Sequence, residues 1–158
     1  MPRDDEQYRW RETYFVWFRS SRRPSLEKVA ETVRRLDGKY ELSNPASDAA
    51  GLIESLTITS IDDHSALEVD YAVGEDVLLE ANRTADELKP GDGDPEQLRR
   101  LPHCDARFEI MHFERFFEGE TEEESDDMFD PTALVIVIEA LTRLTDGVAI
   151  DPASGMIL

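Results

Sequence analysis

The chain has 158 residues, enough for one domain that buries its own core without disulfides or metal. Hydrophobic residues make up 40% and charged residues 34%, a globular rather than disordered balance, and 17 basic against 36 acidic residues leave a net charge of −19. A field of that sign argues against direct binding to nucleic acid backbones or anionic membranes; it suits solubility, a basic protein partner or mimicry of a nucleic acid.

Residues 1–11 are polar and charged and read as a loose lead-in. Thr13 to Arg19 then carries large apolar side chains at consecutive positions, with Tyr14, Val16 and Phe18 on one face and Phe15 and Trp17 on the other. A strand apolar on both faces belongs in the interior of a sheet. Arg22 to Pro24 breaks it, and Ser25 can cap a helix whose stripe is Leu26, Val29, Ala30, Val33 and Leu36, ending at Gly38. Between Lys39 and Gly51, Tyr40 and Leu42 could form a short strand before a turn-rich stretch.

Leu52 to Thr59 and Ala66 to Val73 read as two strands of a hairpin joined through Asp62, Asp63 and His64. In the second, Leu67, Val69, Tyr71 and Val73 point one way and Glu68 and Asp70 the other, so one face there meets water. Gly74 leads into a helix with Glu75 and Asp76 in its first turn and Val77, Leu78, Ala81, Ala85 and Leu88 inward. Pro90 to Pro95 breaks the chain before a short turn of helix through Leu98 to Leu101.

Ala106 to Phe117 is the next strand, with Phe108, Ile110 and His112 on one face and Met111 and Phe113 on the other. Glu118 to Asp127, within an acidic stretch over 118–128, predicts a mobile solvated loop. Asp130 and Pro131 then open a helix that Gly147 stops, with only Thr132, Glu139 and Arg143 aligned as a polar stripe. Val148 to Ile150 and Met156 to Leu158 close the chain around a Pro-Ala-Ser-Gly turn.

Strand, helix, two strands, helix, strand is the order of the ferredoxin-like βαββαβ unit. The expected fold is therefore a single α+β domain: an antiparallel sheet with helices on one face, extended by a C-terminal helix and strand. Right-handed crossover would lay Val148 to Ile150 parallel beside the Ala106 to Phe117 strand. The resemblance is one of element order alone and carries no motif, so it implies no activity.

Chemistry-bearing residues concentrate between Leu101 and Glu114. His103, Cys104 and His112 are residue types that bind zinc, although their spacing matches no standard zinc motif, and Glu109 or Glu114 could serve as acid or base. Cys104 beside His103 also raises thiolate catalysis, but no Gly-rich elbow accompanies it. Asp62, Asp63 and His64 fit a turn better than a cation site.

A lone cysteine cannot form an internal disulfide, the N-terminus has no apolar signal segment, and no window approaches ~20 apolar residues. These features predict a soluble cytoplasmic protein. The leading functional expectation is a non-catalytic protein-interaction or regulatory module, binding a protein partner or a second copy of itself, with no cofactor, nucleic acid or membrane. The alternatives are a small metal-binding protein or metal-dependent enzyme built on His103, Cys104 and His112, and an acidic inhibitor or immunity-type protein with a basic partner.

Overall fold

A computed structural model describes residues 8–115 and 132–158. Seven strands form one sheet in the order β2-β3-β4-β5-β1-β6-β7, and every neighbouring pair is antiparallel. Their ranges are β1 Tyr8–Phe18, β2 Glu41–Ser47, β3 Ile53–Ser60, β4 Ser65–Val73, β5 Ala106–Arg115, β6 Val148–Asp151 and β7 Met156–Ile157. The described residues also form four α-helices: α1 Leu26–Leu36, α2 Glu75–Glu87, α3 Pro95–Arg100 and α4 Thr132–Thr145.

The consecutive apolar residues of β1 place it between β5 and β6, where both of its faces are covered near its C-terminal end. On one face Val16 and Phe18 meet Phe108, Ile110, Leu67 and Val69 beneath α1 and α4, which contribute Val29, Val33, Leu134, Val137 and Leu141. On the other, Trp17, Val148 and Ile150 pack with Val77 and Ala81 of α2 and with Leu101 and Cys104, which follow α3.

This arrangement corrects three expectations. Helices cover both faces of the sheet rather than one, because β1 and β6 bring apolar side chains to both. The strand order departs from a ferredoxin-like sheet, in which β1 would lie beside β4; here β4 pairs with β5, and β5 separates it from β1. Finally, β6 runs in the same direction as β5 but pairs antiparallel with β1, which lies between them. The β5–α4–β6 connection thus steps over one strand.

Local signals place several ends. Ser25 accepts a hydrogen bond from the Lys28 backbone N–H at 3.0 Å and caps α1. Asp94 caps α3, with Pro95 at the first helical position. The strand at the ambiguous stretch runs further than expected: β2 continues through Pro45, which an edge strand tolerates, with Asn44 at φ 50° and an irregular register against β3. Residues 8–11, expected to be loose, belong to β1. The acidic stretch 118–128 and the Asp130–Pro131 cap lie outside the described residues.

At the end of α4 the left-handed residue is Asp146, φ 53°, and the Gly147 N–H donates to the Thr142 carbonyl at 2.9 Å. Gly147 is required for space: a Cβ there would stand 2.6 Å from the Trp17 carbonyl oxygen.

Candidate interaction face

The three residues proposed from sequence as metal ligands do not come together. His103 is exposed at the end of a short 3-10 turn, Leu101–His103. Cys104 is buried on the α2 side of the sheet, its thiol within hydrogen-bonding distance of the Arg100 carbonyl at 3.4 Å. His112 is fully buried on the opposite face, toward the far end of β5, with Nδ1 3.3 Å from Glu12 Oε1. At ~3.3 Å per residue, an extended chain separates Cys104 from His112 by roughly 25 Å. Among the described residues no group of three His, Cys, Asp or Glu side chains is placed to hold a metal ion.

Burial pushes the Cys104 thiol up to about 12, and the nearby Arg19 and Arg100 only partly offset it. Such a thiol is a protonated core residue rather than a nucleophile. Glu109 and Glu114 also fall on opposite faces; Glu114 is buried beside Arg11 at 3.4 Å, and Glu109 is bound to Arg107. Asp62 to His64 form the β3–β4 turn, with His64 at φ 52° and the Asp63 carboxylate accepting from the Ser60 hydroxyl at 2.8 Å.

A shallow depression gathers Arg19, Ser20, Ser21, Leu78, His103 and Asp105. Asp105 is committed there to structure: it accepts from the Ser20 backbone N–H at 2.7 Å and the Ser20 hydroxyl at 2.8 Å. Burial acts to raise its carboxyl, but these bonds outweigh that effect and hold it below the ordinary range.

A cleft of about 220 Å³ lies between α2 and the β6–β7 turn, floored by Phe15, Trp17 and Ile150. Beside it Arg107 bonds Glu80 of α2 and Glu109, while its guanidinium lies 4.1 Å over the Phe15 ring and 4.9 Å over Trp17. Arg107 thereby fastens α2 to the sheet at the edge of the covered region.

Beyond Arg107 the same face carries no helix among the described residues. Three cross-strand rows define it. Asp70 stands opposite Glu109; Glu68 opposite Met111, which faces Thr13; and Ala66 opposite Phe113, which faces Trp10. Trp10 is 58% exposed, and its indole N–H donates to the Thr13 hydroxyl at 3.0 Å. Phe113 and Met111 are half-buried beside it.

Trp10 reaches this face through a register shift. Between Trp10 and Glu12 the β1–β5 ladder takes in Arg11 as an extra residue, so Trp10 shares the face of Thr13 while Glu12 turns inward toward His112. Sequence alternation alone would put Trp10 on the side of Glu12 and Tyr14. No residue type in the stretch announces the shift.

The acids of this face are crowded. Burial raises the Asp70 carboxyl, and Glu68 and then Glu109 raise it further. Like charges directly opposite one another weaken a sheet. Glu109 has Arg107 as its cation.

Compared with protein-family models, with curated proteins and with solved structures, the chain gives no match. No described helix is long and apolar enough to cross a membrane.

Proposed function

We propose that this chain is a non-catalytic protein-interaction module whose docking surface is the part of the sheet around Trp10 that no described helix covers. The observation that carries this reading is the cluster itself. A tryptophan more than half exposed, with Phe113 and Met111 alongside on a rigid central pair of strands, has the residue types enriched at protein interfaces. A tryptophan exposed on a sheet face without a partner leaves a large apolar side chain in water. The unbridged Cys104 suits a reducing compartment, and we place the interaction in the cytoplasm on that ground.

The test is a paired capture followed by reconstitution. Immobilised parent chain and Trp10→Ala are exposed to the same cell extract alongside Leu79→Asp, which alters an exposed apolar residue of α2 away from the face. A protein retained by the parent and by Leu79→Asp but lost by Trp10→Ala is purified and titrated calorimetrically against all three. Direct binding with the same ranking supports the reading. Capture unaffected by Trp10→Ala refutes it.

A further inference from the structure

We infer that the partner presented to this face is a cationic, amphipathic polypeptide segment, a deepening that rests on the docking reading above. Two observations on the same surface specify it. The row of Trp10 and Phe113, with Met111 in the next row, offers an apolar strip along β1 and β5; Glu68 and Asp70 lie on β4, beyond β5. With ~4.8 Å between neighbouring strands and ~6.8 Å between successive rows, Glu68 stands about 12 Å and Asp70 about 17 Å from the Trp10 position. A matching segment carries apolar side chains along one edge and Lys or Arg about 12–17 Å from the one that meets Trp10.

Electrostatics selects among occupants. A second copy packed face to face would bring together two acidic faces of chains that each carry −19, and like-charge juxtaposition is costly. Nucleic acid and anionic lipid carry the same sign as the face and as the chain at −19. Lys and Arg side chains suit both parts of this face: one placed over β4 sets opposite charge against the Glu68 and Asp70 carboxylates, and another can lie against the Trp10 ring.

The experiment uses the full chain and three fluorescein-labelled synthetic peptides of equal length: Lys/Leu, Lys/Ser with the same charge, and Glu/Leu. Binding is read by fluorescence anisotropy at physiological ionic strength. The expected order is Lys/Leu about tenfold tighter than Lys/Ser, with no binding of Glu/Leu, and a loss of about tenfold in Trp10→Ala and several-fold in Asp70→Asn. Glu27→Gln with Asp86→Asn, exposed acids of α1 and α2, should leave affinity unchanged. Trp10→Phe, which keeps an aromatic ring, should retain most of it. Far-UV circular dichroism of every variant separates lost binding from lost folding.

Equal weakening by the Glu27/Asp86 control and by Asp70→Asn would overturn the inference, because the attraction would then be that of the whole charge. So would Lys/Ser binding as tightly as Lys/Leu. A dimer seen by sedimentation and abolished by Trp10→Ala would overturn it while leaving the docking reading intact. If neither peptide binding, self-association nor capture depends on Trp10, both fall together.

Discussion

Replacing Gly147 by alanine tests how closely α4 and β6 are fitted to β1. An ideal Cβ at this position lies 2.6 Å from the Trp17 carbonyl oxygen, 2.8 Å from Thr145 Oγ1 and 3.2 Å from Val16 Cγ1. An acceptable carbon–oxygen approach is about 3.3 Å, so the main conflict is roughly 0.7 Å and is with backbone. That backbone cannot yield easily: Trp17 pairs with Val148 in the β1–β6 ladder, and its indole is buried against Ala81, Leu101 and Cys104. Forced overpacking of this kind costs about 1–3 kcal/mol, and the rigid neighbour argues for the upper part, about 2–3 kcal/mol. For a domain of this size that is a fall in Tm of roughly 4–12 °C. Urea unfolding followed by far-UV circular dichroism measures it, with Gly38→Ala as the counterpart. A Cβ at Gly38 meets nothing within 4 Å, so that change should be neutral or stabilise by ~0.4–1 kcal/mol through the unfolded chain. A Gly147→Ala variant within ~0.5 kcal/mol of the parent would refute the fit described between α4, β1 and β6.

Ser25→Ala should cost ~1 kcal/mol, seen in the urea midpoint, because the Lys28 N–H loses its acceptor. Leu141→Ala, at a fully buried site between α4 and the sheet, should cost ~2–5 kcal/mol and lower Tm accordingly. Cys104 should resist iodoacetamide at pH 8 in the native protein and react readily in urea, as followed by mass spectrometry; rapid native labelling would contradict its burial. Its thiol is raised on folding from an ordinary value of 9.0 to about 12. Its stabilising contribution is therefore complete below pH 9 and lost as pH rises toward 12, where only the unfolded chain ionises easily, and Cys104→Ala should flatten that alkaline decline in a pH series of urea midpoints.

Much of the local structure was legible because it depends on neighbours in sequence. The consecutive apolar residues of β1 marked a strand covered on both faces, Ser25 marked a helix start, and the stripe Thr132, Glu139 and Arg143 lies on the exposed side of α4, joined there by Val135. The pairing of strands was not legible. Whether β4 meets β1 or β5 depends on contacts between residues far apart in the chain, and helix and strand order is compatible with both. Gly147 reads as a helix stop, yet the left-handed turn belongs to Asp146, and the glycine answers to a carbonyl in β1 that no local pattern reveals. The candidate site was legible only in its acids: Glu68 and Asp70 read correctly as pointing away from the core. His103, Cys104 and His112 suggest a site because they are close in sequence, but an extended chain carries them apart. Trp10 sits in a charged stretch that hides it, and the extra residue that turns it outward has no signature of composition.

The place of β1 has a consequence for how the chain is assembled during synthesis. Its edges are taken by β5 and β6, through pairs such as Val16 with Phe108 and Phe15 with Ile150, both made from later parts of the chain. While α1 and the hairpin of β3 and β4 can form as they emerge from the ribosome, β1 must wait with two unpaired edges and its aromatic side chains unshielded. Sheets closed by such distant pairings fold slowly, and a strand left open in this way is a site for misassociation. The strand that ends inside the finished sheet is thus made before the other strands of that sheet and is among the last to be secured.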